Sequence, residues 1–253
     1  MKPAARVEVV ADAGALAYAA ADRFVAEARE AIGRSGRFVV ALSGGSTPAR
    51  LFSVLAGERR EAIDWSRVRF CWGDERAVPP TDEASNYRAA KVRLLDPLAI
   101  PTANVHRIRG EDPPEAAATG CERELRFLFG TPVGPPRDED GARFDLVLLG
   151  MGADGHTASL FPGRPAVREE RAWAVADEVP ATPSGRITLT RAPINSARSV
   201  IFLVAGADKA PALARVLEGP RRPDLRPAQA IVPRSGPALW LVDEAAAAEL
   251  AGR

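Results

Sequence analysis

The chain has 253 residues, enough for one large or two small domains and for a sizeable buried core. Its 46% hydrophobic, 26% charged and 6% aromatic content is that of a folded soluble protein, neither disordered nor membrane-embedded. With 34 Lys and Arg against 33 Asp and Glu the formal charge is +1, so no global field draws in nucleic acid or an anionic bilayer, and any anion must be held by a local site.

The opening MKPAARVEVV lacks the continuous apolar stretch of a secretory signal. No run approaches about 18 apolar residues, so no membrane span is expected and the cytoplasm is the expected location. After Val7 to Val10, small and apolar residues recur at Leu16, Ala20, Phe24, Ala28 and Ile32. This i, i+4 stripe predicts an amphipathic helix over 12–32, with Asp12 as N-cap and Gly33 past its end. Buried strands are predicted at Phe38 to Leu42, Val68 to Trp72, Phe144 to Leu149, Val200 to Ala205 and Leu239 to Val242. Helices are predicted at Pro48 to Leu55, Ser85 to Leu95, Ala116 to Phe129, Ala210 to Leu217 and Glu244 to Leu250, and surface loops at Thr131 to Ala142 and Gly219 to Ala228. Strand and helix alternate, which predicts one doubly wound α/β domain, Rossmann-like, spanning residues 1–253 around a mostly parallel sheet flanked by helices.

In such a sheet, ligands bind beyond the carboxyl ends of the strands, and four of these turns are chemically loaded. The first is Ser43-Gly44-Gly45-Ser46-Thr47-Pro48. Gly44 and Gly45 let backbone approach a ligand, Pro48 suits the first position of a helix, and Ser46 and Thr47 add hydroxyls at a helix N-terminus able to hold a phosphate. The loop is neither GxxxxGK[ST] nor GxGxxG, and an ordinary capped strand-to-helix turn is the competing account. The second turn, Gly73-Asp74-Glu75-Arg76, offers an arginine for a phosphate or carboxylate and acids to orient it or meet hydroxyls; plain surface ion pairing is its alternative. The preceding Cys71 reads as a small buried hydrophobe. The third turn, Gly150 to Thr157, bends over three glycines and delivers His156 to the rim, with Asp154 placed to orient it or bind substrate. His106 alternates like a strand residue and reads as structural. The fourth turn, Gly206 to Ala210, puts Lys209 at a helix start, as a point charge for a phosphate or as a solvated surface lysine.

These segments together resemble the 6-phosphogluconolactonase family of the glucosamine-6-phosphate isomerase/6-phosphogluconolactonase superfamily. The resemblance runs through the Ser43 to Pro48 loop, Trp72 to Arg76 with Ser85-Asn86-Tyr87-Arg88, Leu149 to Gly163, Arg186 to Thr190, and Gly206 to Ala210. Its most specific stretch is Asp154-Gly155-His156-Thr157-Ala158-Ser159-Leu160-Phe161-Pro162-Gly163. Related deaminases carry Asp-Glu-Tyr where this chain has Asp74-Glu75-Arg76, and a ring-opening glutamate in Asn-Glu-Pro where it has Leu160-Phe161-Pro162, which favours the lactonase. A sugar-phosphate sensor is disfavoured, because only 37 residues precede the first rim strand and they hold Val7 to Val10 and one helix.

The resemblance implies hydrolysis of 6-phospho-D-glucono-1,5-lactone to 6-phosphogluconate. His156 would act as base and then acid on direct water attack, since no GxSxG elbow is present. Ser46, Thr47, Lys209 and Arg76 would hold the phosphate, although Arg76 can instead face the oxyanion. Asp154 would orient His156 or bind a sugar hydroxyl, and Gly44, Gly45, Asp74, Asn86 and Arg186 complete the implied substrate site. The implied partner is a small sugar-phosphate lactone, with no nucleic acid, no membrane and no metal or organic cofactor.

Overall fold

The computed structural model describes residues 5–131, 143–178 and 184–251. The chain runs β1 (Arg6–Val10), α1 (Ala13–Ser35), β2 (Phe38–Leu42), α2 (Ser46–Ala56), β3 (Val68–Trp72), β4 (Asp74–Arg76), α3 (Asn86–Ala90) and α4 (Pro114–Phe129). It continues through β5 (Leu146–Leu149), β6 (Ala174–Asp177), β7 (Arg186–Leu189), α5 (Arg191–Ser196), β8 (Ser199–Val204), α6 (Ala210–Leu217) and β9 (Leu239–Asp243). Six strands form an all-parallel sheet in the order β1-β9-β8-β5-β2-β3, and β4-β7-β6 form a second, antiparallel sheet.

Side-chain alternation along β2 shows why the sheet is covered on both faces. Phe38, Val40 and Leu42 join one core with Leu16 and Phe24 of α1 and Leu51 and Phe52 of α2. Val39 and Ala41 join the other with Ile194 of α5 and Leu213 and Val216 of α6. Asp12 caps α1 through its side chain, accepting from the Gly14 and Ala15 amides, and the helix ends three residues later than its glycine pattern predicts. Gly36, at φ 75°, supplies the left-handed stop, while Gly33 stays helical.

Three local expectations change. The stretch Ser85 to Leu95 is a five-residue α-helix followed by a wider π-helical turn, Lys91–Leu95. Glu244 to Leu250 forms consecutive turns rather than a helix. Asp243, buried, accepts the Gly206 and Ala246 amides and fixes the start of that segment, and seven residues are too few for alanine propensity to prevail on its own. Asp74 to Arg76 is strand rather than turn. Of the two expected loops, Gly219 to Ala228 is irregular up to a 3₁₀ turn at Pro227–Ala230, and 132–142 lies outside the described residues.

The strand order locates the crevice. The chain steps from β2 outward to β3, then returns to place β5 on the other side of β2, so the connections leaving β2 and β5 diverge above their carboxyl ends. Those connections are the Ser43 loop and the Gly150 to His156 loop. Among the described residues no helix is long and apolar enough to cross a membrane.

Candidate active site

At this divergence lies a cleft of about 240 Å³. It is lined by Ser43, Gly44 and Gly45 after β2, by Asp74 and Arg76 of β4, by Asn86, by Gly150 to Gly152 with His156 and Ala158 after β5, and by Lys209 ahead of α6. The four turns therefore converge.

His156 is held from several sides. Its ring Nδ1 lies 2.6 Å from Asp154 Oδ1, which also accepts the His156 backbone N–H at 3.0 Å. Burial pushes the Asp154 carboxyl up, but the hydrogen bonds and charge of His156 outweigh it and hold the group below the usual aspartate range. An ionised Asp154 can only accept, so Nδ1–H donates to it and the neutral ring keeps Nε2 as its basic atom. Gly152 is required by this packing: a Cβ there would fall 2.1 Å from the ring Nδ1 and 2.6 Å from Asp154 Oδ1.

Asp74 and Glu75 depart from the ion-pair expectation. Both are buried, and each is satisfied by neutral donors rather than by the Arg76 guanidinium. Glu75 accepts the amides of Arg76, Asn86 and Tyr87 and the Ser85 hydroxyl, which ties β4 to the first turn of α3; burial pushes its carboxyl up. Asp74 accepts Ser159 Oγ at 2.6 Å and Asn86 Nδ2 at 3.1 Å. Asn86 in turn lies directly beneath the glycine loop, since a Cβ on Gly44 would meet Asn86 Oδ1 at 1.7 Å.

Cationic charge gathers at the same place. Arg76 and Arg186 are register partners across β4 and β7, and among the described residues neither pairs with a carboxylate. Arg76 donates to the Ala84 carbonyl and leaves its Nε buried without a partner; Arg186 donates to Ser184 and the Gly185 carbonyl. Burial and, next, the neighbouring Arg76 push the Arg186 guanidinium down from its usual value, with Asp74 and Glu75 opposing. Lys209 Nζ is 2.9 Å from Asp208, an exposed acid.

Other expected residues sit at the margin. Ser46 and Thr47 are the first two residues of α2, without a side-chain cap, and do not line the cleft itself; Pro48 is the third helical residue rather than the first. Asp154 and Arg186 stand behind the cleft wall, beside His156 and Arg76 respectively. Sequence reasoning missed Ser159, Thr188 and Ala158. Ser159 joins Asp74 to the His156 loop, and its amide donates to Thr188 Oγ1 at 3.2 Å. Ala158 holds a positive φ of 46° at the cleft wall. All three lie within resembling stretches, but no residue-level signal announced the left-handed backbone of Ala158. Cys71 is buried and its thiol is pushed well up by burial, as expected of a packed cysteine. Among the described residues no group of three or more His, Cys, Asp and Glu side chains is placed to hold a metal ion.

The α/β sheet thus gathers, at its switch point, a histidine–aspartate pair and arginines that have no carboxylate partner among the described residues, an arrangement suited to an anionic ligand. The model of the glucosamine-6-phosphate isomerase/6-phosphogluconolactonase family matches residues 11–240, and the chain belongs to that family. It is 40% identical over 245 residues to the 6-phosphogluconolactonase of Nostoc sp., covering 96% of this chain and 98% of the relative, and 37% identical to that of Mycobacterium leprae, covering 98% and 99%. Among solved structures, the 6-phosphogluconolactonase of Trypanosoma cruzi superposes with a TM-score of 0.87 at 28% identity, over 100% of this chain and 99% of that one.

Proposed function

We propose that the chain hydrolyses 6-phospho-D-glucono-1,5-lactone to 6-phosphogluconate, acting in the cytoplasm through a single domain on a small sugar-phosphate lactone rather than on nucleic acid. The observation that carries this is the His156–Asp154 pair at 2.6 Å, whose histidine lines one cleft with Arg76 and Lys209.

Hydrolysis needs a base for water, stabilisation of the tetrahedral oxyanion and an acid for the departing ring oxygen. His156 Nε2 takes a proton from water as the water oxygen bonds to the lactone carbonyl carbon. Asp154 holds the ring and stabilises the imidazolium that forms. The imidazolium then gives the same proton to the ring oxygen as the bond between carbonyl carbon and ring oxygen breaks, restoring neutral His156. The phosphate, remote from the reacting carbon, is held by Arg76, Arg186 and Lys209 with the N-terminus of α2 at Ser46 and Thr47. Asp74, its oxygens already receiving Ser159 and Asn86, keeps lone pairs for a sugar hydroxyl. Remote binding of this kind supplies orientation, where much of a rate gain arises.

The discriminating experiment pairs two assays. The phosphorylated lactone should open faster than in a protein-free control, and glucosamine 6-phosphate should release no ammonia. Ammonia release as fast as lactone opening would instead assign the deaminase reaction.

A further inference from the structure

The stretch from Asp154 to Gly163 contributes two side chains to the proposed chemistry, yet all of it is tightly built. A turn from Thr157 to Leu160 closes with the Leu160 amide on the Thr157 carbonyl at 2.9 Å, and it places Ala158 in the left-handed region. A second turn, Phe161-Pro162-Gly163-Arg164, closes with the Arg164 amide on the Phe161 carbonyl at 3.1 Å, with Gly163 at φ 72°. Gly163 is further pinned by donating to the Asp224 carbonyl at 2.7 Å. Phe161 is therefore fixed between two closed turns, and its ring lies on that of His156 with centroids 4.3 Å apart and planes 29° from parallel.

We propose that Phe161 is a positioning residue for His156: its ring holds the imidazole plane with Nε2 toward the cleft and stabilises the imidazolium formed when water is deprotonated. Asp154 fixes the imidazole at one atom, Nδ1, and a single hydrogen bond leaves the ring free to swing about that contact. A flat apolar surface on the ring face removes that freedom. The π face of phenylalanine is also electronegative, so it attracts the ring more strongly once protonated. The charged groups around His156 are Asp154 on its own loop, Asp74 and Arg76 from β4, and Lys209 from the segment before α6.

The proposal rests on the hydrolytic role of His156, and its test separates the two. The chain has only two histidines, so nuclear magnetic resonance of the free protein follows His156 with His106 as internal reference. In Phe161→Leu the ring resonances of His156 should lose the ring-current shift of a stacked phenyl, while those of His106 stay fixed. The rate should show kcat lowered about three- to tenfold at unchanged KM. Phe161→Trp, which keeps an aromatic face, should restore kcat. If leucine and tryptophan variants turn over alike, Phe161 only fills space and the proposal fails. If instead His156→Ala keeps its turnover, the hydrolytic reading fails, while the ring-current shift still reports on the stacking.

Discussion

Two clefts each have a histidine paired with a carboxylate in their wall or just behind it, and the larger cleft is not the better site. His106 Nδ1 lies 2.8 Å from Glu124 Oε1, almost the geometry of His156 and Asp154 at 2.6 Å. The cleft beside His106 has a volume of about 810 Å³, against about 240 Å³ around His156. What differs is the state of the surrounding charge. In the large cleft two of the three lining arginines are committed, Arg107 bidentately to Glu111 and Arg109 to Asp112, and only Arg123 has no carboxylate among the described residues. In the small one Arg76 and its neighbour Arg186 have no carboxylate among the described residues. The nitrogens differ too: His106 Nε2 is buried without a partner, whereas the His156 ring belongs to the wall of the small cleft. A dyad acquires chemistry from an open Nε2 and uncommitted cations, not from volume.

The sharpest way to break this contrast is to remove each histidine in turn. His156→Ala should lower kcat by about 10² to 10⁴ while the protein still binds 6-phosphogluconate, and His106→Ala should leave kcat within about threefold of the parent. Rates are taken per folded molecule, with folding followed by circular dichroism and binding by calorimetry. Equal losses in both variants would erase the distinction.

A smaller effect tests the cations of the small cleft. Lys209→Ala should raise KM for the phosphorylated lactone by about tenfold to a hundredfold with little change in kcat, since a charged hydrogen bond is worth about 1.5–3 kcal/mol. Unphosphorylated gluconolactone should barely distinguish the variant from the parent. An unaltered KM for the phosphorylated substrate would remove Lys209 from the site.

The smallest effect belongs to the large cleft. Arg107 holds the Glu111 carboxyl down at about 2, from an ordinary value near 4.5. A carboxyl with a depressed folded-state pKa contributes stability above its unfolded pKa and loses it as pH falls toward the folded value. Thermal melting of the parent should therefore decline between about pH 4.5 and 2 partly through this pair, and Glu111→Gln should flatten that part of the curve. Because the pair is solvent-screened, the loss at neutral pH should stay below about 1 kcal/mol and kcat should not move. A large fall in kcat would join the two clefts functionally.

The sequence by itself determined the parallel core and the chemistry at its rim. Strand runs such as Phe38 to Leu42 are apolar at every position, which only a sheet covered on both faces accommodates, and the four glycine- or charge-bearing turns follow those strands directly. His156, Asp154, Arg76 and Lys209 were legible as residue types suited to proton transfer and to an anion, while Asn86 entered only through the family resemblance. Tertiary structure alone decided how they divide their bonds. The pairing of Arg76 with Arg186 depends on a β4–β7 register between residues 110 positions apart, and the satisfaction of Asp74 by Ser159 joins positions 85 apart. The stacking of Phe161 on His156 depends on two successive turn closures. Periodicity reports the burial of one element at a time. Which hydrogen-bond donors reach a buried carboxylate, and which cations are left without one, is fixed only when separate elements close on one another.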